Sequence, residues 1–371
     1  VRMKILQVIT SLRVGGAETL VVNLVTRLRT AGYQADVCIL DNLSTPLIDR
    51  LLATNPGVKL YKLGKGFYHP SYIFRLYRLM KDYDIVHTHN SSPQLFVAIA
   101  ELFRKVGLCT TEHTTSNRKR DWKWYAPIES WMYGRYDSVV CISEIAEKKL
   151  REYMGGDWQR PDSARYKNIT TINNGVDVEA IYNAAPDPEL LRLKGGRTAF
   201  LMVAGFRDAK DQDTLIRALS RLDREAYEVW LAGIGDRQAE VEALVESLQL
   251  ADRVRFLGLR TDIPNVLKAA DIICMSSHWE GLSLSNVEGM SAGKPFIASD
   301  VNGLREVTKG FGLLFPHEDD KALAETIERL QQDADYYKTT AERCLLRARQ
   351  FDIGKMVAGY EAVYHKILSN K

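Results

Sequence analysis

The chain has 371 residues, 46% of them hydrophobic and 26% charged, with a formal net charge of +3. That length exceeds one ordinary core and points to two domains of a soluble globular protein. The small charge makes no case for nucleic acid, no apolar run approaches the about 18 residues of a membrane helix, and five scattered cysteines (Cys38, Cys109, Cys141, Cys274, Cys344) fit neither a disulfide framework nor a metal site and suggest a reducing compartment.

Strand-like apolar runs alternate with helix-like segments from end to end, which implies α/β layers on parallel sheets. Met3 to Ile9 reads as a strand rather than a signal peptide, because Gly15-Gly16-Ala17-Glu18 follows at once. Those glycines permit a tight turn and close approach of a ligand to the backbone, ahead of a helix over Thr19–Arg29. Alone, a structural turn also accounts for them. Further strands fall near Ala35–Leu40, Val58–Tyr61, Ile85–Thr88, Leu108–Glu112, Val139–Ile142 and Thr170–Ile172. Two of them end in His89 and His113, at the strand termini where α/β proteins bind ligands. Packing or capping is the ordinary explanation for either histidine. Arg118 to Tyr125, with Trp131 and Tyr133, mixes cations with aromatics. It reads either as a solvated helix face or, over 118–133, as a patch for an acceptor or a membrane surface. Asn173 to Pro188 is turn-rich and reads as an interdomain linker. The domains are then 1–180 and 189–351, followed by an amphipathic helix over 352–371.

In the second half, strands are expected near Phe200–Val203, Glu228–Ala232, Val254–Leu257, Ile272–Met275, Phe296–Ala298 and Gly312–Leu314. The first is followed by Gly205, Arg207 and Lys210, then by Asp211-Gln-Asp213 at a helix start, where Asp caps rather than binds metal. Gly233-Ile-Gly-Asp236 follows the next strand, and Leu257 to Asp262 the one after. The most informative stretch is His278 to Asp300. It sets Glu280 on a loop and Glu288 one or two turns into a helix that begins near Ser283 to Ser285. A helix N-terminus beside a glycine is an anion site, and both carboxylates can point into one crevice. That suits a sugar nucleotide: amides take the diphosphate, one Glu takes sugar hydroxyls, and the other takes both ribose hydroxyls. Taken alone, two glutamates eight apart are ordinary surface charges.

The string E-G-L-S-L-S-x-x-E-x-M-x-x-G-K-P-x-I-A-S-D, Glu280 to Asp300, closely resembles the signature of retaining glycosyltransferases of family 4. The likeness extends over nearly the whole chain. It implies the GT-B fold, in which two Rossmann-like domains face each other across a cleft and the last helix returns to the first domain. It implies transfer of a hexose, with retention, from a nucleoside diphosphate sugar (a UDP-sugar foremost) to a glycan or lipid-linked acceptor in cell-surface polysaccharide synthesis. The work would be cytoplasmic, at the inner membrane surface, with no metal, no cofactor and no nucleic acid. By the same resemblance Glu280 contacts the donor sugar, Glu288 the ribose, and Lys210 the diphosphate. His113 lies near the transferred sugar. The usual arginine position is Gly205 here, so Arg207 is assigned that role. Gly15, Gly16, Gly205, Gly233, Leu259, Arg260, Gly281, Leu282, Ser283, Leu284 and Ser285 complete the expected donor site, with backbone groups of Leu259 and Arg260 at the base. A sugar-nucleotide epimerase on the same fold and a non-catalytic nucleotide-sugar binder are the alternatives.

Overall fold

The computed structural model describes residues 3–13, 15–64, 66, 68–113, 122, 125–280 and 284–371. The chain divides into two units, residues 1–174 with 354–371 and residues 175–353.

Among the described residues the first unit carries β1 (Lys4–Ile9), β2 (Gln34–Ile39), β3 (Leu60–Lys62), β4 (Ile85–His89), β5 (Gly107–Glu112), β6 (Ser138–Cys141) and β7 (Ile169–Thr171). They pair in parallel in the order β3-β2-β1-β4-β5-β6-β7. The β5 residues Gly107 to Glu112 are all buried, as expected of strands covered on both faces. The order reverses between β1 and β4, where the crossover helices change sides of the sheet. At such a switch point the strand ends splay and leave room for a ligand. The helix Ile353–Ser369 belongs to this unit and buries Met356, Tyr360, Tyr364 and Ile367, one face at helical spacing. Each large side chain so buried is worth about 1.5–3 kcal/mol. Gly107 makes room for this helix, since a Cβ there would lie 2.9 Å from Cγ2 of Ile367.

The second unit repeats the plan with β8 (Thr198–Val203), β9 (Tyr227–Ala232), β10 (Val254–Gly258), β11 (Ile272–Met275), β12 (Phe296–Ser299) and β13 (Leu313–Phe315). All are parallel, in the order β10-β9-β8-β11-β12-β13, with the switch point between β8 and β11. All five cysteines are buried. No helix among the described residues is long and apolar enough to cross a membrane.

One expectation is corrected. Residues 175–188 are not a free linker; they are built into the second unit. Val176 donates to the Phe351 carbonyl and accepts from Ile353, both at 2.9 Å. The helix Val178–Tyr182 follows, capped by Asp177, with Val178 and Ile181 buried. Asp187 caps the next helix, Pro188–Lys194. The turn-rich composition reflects two helix starts in close succession, with Pro188 at a first helical position, where it is favoured.

Candidate active site

In the second unit the loops after β8 and β11 meet at the switch point. Lys210 and Ser277 form an isolated backbone bridge. Asp211 caps the helix Gln212–Arg221 by accepting from the Thr214 amide at 3.0 Å, and its other oxygen accepts from Ser276 Oγ at 2.9 Å. Asp213 pairs with Arg237 at 2.8 Å, while Arg237 also donates to the Lys210 carbonyl at 3.2 Å. Both carboxylates of the Asp-Gln-Asp triplet are thus committed to holding the Lys210 loop.

Lys210 Nζ pairs directly with Glu280 Oε1, and Ser277 Oγ donates to the same oxygen at 3.1 Å. Met275 Sδ lies 3.8 Å from Nζ. Burial, and then the Arg207 guanidinium, bring the Lys210 ammonium down to about 8; the contact with the Glu280 carboxylate opposes this and favours the charged form. Arg207 is exposed; its carbonyl accepts from the Lys210 amide at 2.8 Å, while its guanidinium makes no hydrogen bond or ion pair among the described residues. An anion placed here would meet one guanidinium already free and one ammonium that must leave Glu280.

Glu288 lies in the second turn of the helix Leu284–Ser291. Val287 and Met290 anchor that helix in the core. Gly289 lets it press onto the sheet, for a Cβ there would sit 2.7 Å from the Phe296 ring. Glu288 has no partner among the described residues, and burial pushes its carboxyl up to about 7. Leu284 and Ser285 form the first turn, whose amides have no acceptor within the helix. Gly281, Leu282 and Ser283 lie outside the described residues.

Gly205, Gly233 and Gly235 answer a need of the fold itself. A Cβ on Gly233 would lie 2.1 Å from the Ala204 carbonyl oxygen, and one on Gly235 would lie 2.2 Å from that of Phe206. The loops after β8 and β9 therefore stack backbone against backbone. Gly205 is less confined, with the Ile234 oxygen at 3.2 Å. Leu259 is 66% exposed. The Arg260 side chain is held by Asp262 at 2.6 Å and Asp187 at 2.5 Å, so only its backbone is left for a ligand.

In the first unit, Gly15 precedes the helix Gly16–Thr30 with extended backbone, and a Cβ there would meet the Glu18 carboxylate at 2.3 Å. A Cβ on Gly16 would meet nothing within 4 Å. His113 directly follows β5 and is fixed by a chain of buried hydrogen bonds. Gln7 Nε2 donates to Tyr364 Oη at 3.2 Å, and Gln7 Oε1 accepts from His89 Nε2 at 2.8 Å. Burial holds His89 and His113 neutral, the latter down at about 4. His89 Nδ1 must then accept, and His113 Nε2 donates to it at 2.9 Å. The tautomer of His113 is set: Nε2 carries the proton and Nδ1 is an acceptor. Tyr364 in turn donates to His87 Nδ1 at 2.7 Å, and His87 Nε2 donates to Thr111 at 2.8 Å.

Gln7, Ser277 and Arg237 were not among the expected site residues. Gln7 carries a local signal, a polar residue inside an apolar strand, which is informative when buried. Ser277 and Arg237 act through contacts across the fold and carry none. Part of the aromatic patch is corrected: Tyr125 and Tyr133 are buried, and Tyr133 donates to Glu112 inside the unit. Trp122 and Trp131 are 49% and 40% exposed, and residues 118–121, 123 and 124 lie outside the described residues.

Two doubly wound parallel units, each with a switch point at its strand ends, are the architecture of the GT-B fold class. The family description "Glycosyltransferase Family 4" matches residues 14–180, and "Glycosyl transferases group 1" matches residues 186–348. The chain is 28% identical over 299 residues to the putative glycosyltransferase EpsD of Bacillus subtilis, covering 76% of each. It is 28% identical over 259 residues to the UDP-Gal:alpha-D-GlcNAc-diphosphoundecaprenol alpha-1,3-galactosyltransferase of Escherichia coli, covering 62% of each. The structure of Anabaena Alr3699/HepE in complex with UDP matches at TM-score 0.80 and 20% identity, over 98% of this chain and 100% of that one. The chain belongs to the family 4 type of glycosyltransferases and is an enzyme of that class.

Proposed function

We propose that this enzyme transfers a hexose from a UDP-sugar, with retention, to a hydroxyl of a glycan or lipid-linked glycan in cell-surface polysaccharide synthesis. The observation that carries the reading is the Lys210–Glu280 pair beside the unpaired Arg207. A donor brings anionic diphosphate oxygens for the cations and sugar hydroxyls for the carboxylate, so it replaces one ion pair with two matched sets of contacts. As the bond to the leaving diphosphate breaks, negative charge grows where Lys210 and Arg207 stand. Glu288 receives the ribose hydroxyls, and the amides of Leu284 and Ser285 add to the phosphate site. Leu259 and Arg260 offer backbone groups to the base. The open space at Gly16 suits a phosphate against the backbone, and His113 offers Nδ1 to a hydroxyl of the transferred sugar. No resident metal or cofactor has a part in these steps.

The choice of UDP is supported by the UDP held in the HepE structure and by the UDP-galactose in the name of the Escherichia coli relative. The diphosphoundecaprenol in that name supports a lipid-linked acceptor, met at the inner face of a membrane. Exposed Trp122 and Trp131 within 118–133 suit such a surface.

The test is a donor panel of UDP-, GDP- and ADP-sugars, following release of free nucleoside diphosphate. Slow release from a UDP-hexose is expected, reduced about 10²–10³-fold in Glu280→Ala, the loss typical of one transition-state contact. Release from a GDP- or ADP-sugar alone would overturn the choice of base. Neither binding nor release anywhere would overturn the whole assignment of the site.

A further inference from the structure

We propose that His278, His317 and Glu318 form a site for a zinc-class transition metal at the rim of the second unit. His278 lies on the loop after β11, two residues before Glu280, and its amide donates to the Ala209 carbonyl at 2.9 Å. His317 and Glu318 follow β13. The strands β11, β12 and β13 are parallel neighbours, so the two loops emerge on one edge of the sheet.

Three ligand atoms converge there. His278 Nδ1 lies 3.0 Å from His317 Nε2 and 3.2 Å from Glu318 Oε1, and the last two are 3.8 Å apart. A tetrahedral ion with bonds of about 2.0–2.2 Å holds its ligands about 3.3–3.5 Å apart. The observed triangle spans that length. Two imidazoles and one carboxylate are the donor set of zinc, cobalt or nickel, not of magnesium or calcium. Three protein ligands leave a fourth position for water, as in open metal sites.

Glu318 sits in an uncommon backbone conformation. Its φ is +62°, the left-handed region that residues other than glycine seldom occupy. From there its Oε1 lies 3.2 Å from His278 Nδ1 and 3.8 Å from His317 Nε2. Strain of this kind persists where the surroundings require it. Loading would tie the segment that leads into Glu280 to the end of β13, so the ion acts as a clamp beside the donor site and takes no part in the transfer.

The experiment uses the full chain without a polyhistidine tag, titrated with Co²⁺ and then with Zn²⁺. One equivalent of Co²⁺ is expected, with the intense visible absorption of a four-coordinate ion, displaced by Zn²⁺ and unaffected by Mg²⁺ or Ca²⁺. His317→Ala is expected to abolish the band and to weaken Zn²⁺ by tenfold or more, given that losing even an outer partner of a ligand costs about 10–100-fold. Glu318→Gln should retain a weaker, altered band, and it serves if the alanine variant proves unstable. A wild-type protein without the band, or a band that survives His317→Ala unchanged, would overturn the assignment. The readout is independent of glycosyl transfer, so failure here leaves the donor reading standing.

Discussion

Glu280 and Glu288 lie eight residues apart and have opposite circumstances. Glu280 is satisfied twice over, by Lys210 and Ser277, whereas Glu288 has no described partner and is pushed up to about 7 by burial. A carboxylate that is to accept from ribose hydroxyls must be ionised. Donor affinity is therefore expected to weaken as pH falls through about 7, and titrating UDP binding between pH 8 and 6 would measure it. Folding stability moves the other way. A carboxyl raised from 4.5 favours the folded state below 4.5 and loses that contribution as pH rises through 7. Glu288→Gln should flatten the binding profile and cost about 10–150-fold in affinity, the worth of a charged hydrogen bond of about 1.5–3 kcal/mol. An unchanged pH profile in that variant would exclude Glu288 as the titrating group.

At the scale of elements, the thirteen expected strands appear within two residues of their expected ends, because runs such as Ile272–Met275 are buried on both faces and uniformly apolar. The helix that carries Glu288 was legible for a related reason: apolar spacing resumes directly after a glycine and serines. What was not legible is contact between elements far apart in sequence. Gly233 reads as a ligand-binding glycine, and its missing Cβ is also required by Ala204, in a different loop. Arg260 is tied to Asp187, a residue of the supposed linker. No local pattern reports either fact. Gly233→Ala is thus expected to destabilise the second unit by about 1–3 kcal/mol, as overpacking does, even without donor. Thermal melting of the unliganded protein measures this. An unchanged midpoint would return Gly233 to a purely ligand-facing role.

For the whole molecule, the two units differ in continuity. The second is one stretch, 175–353, and the first is assembled from 1–174 and 354–371. The returning helix fills the first unit with Tyr360 and Tyr364, both fully buried, and Tyr364 bonds both Gln7 and His87. Removing it would leave those groups unpaired in an apolar setting, at about 1–3 kcal/mol each, beyond the lost packing. A fragment of residues 175–353 is expected to fold and melt cooperatively. A fragment of residues 1–174 should be unfolded or aggregated, and joining 352–371 to it through a flexible linker should restore folding. Circular dichroism melts of the three decide the matter; a cooperative melt of 1–174 alone would contradict it.

The buried position of Tyr364 bears on how the chain comes off the ribosome. Residues 1–174 are made before the second unit, yet the keystone helix of the first unit is made after all of the second. At typical rates of about 5–20 residues per second, the gap between residues 174 and 371 lasts on the order of 10–40 s. Throughout that interval the face of the first sheet around His87 and Gln7 awaits its cover, while residues 175–353 can close on themselves. Of the two units, the second has all its residues available before residue 354 is made, so it is expected to mature first, and the nascent first unit is where a chaperone is expected to bind.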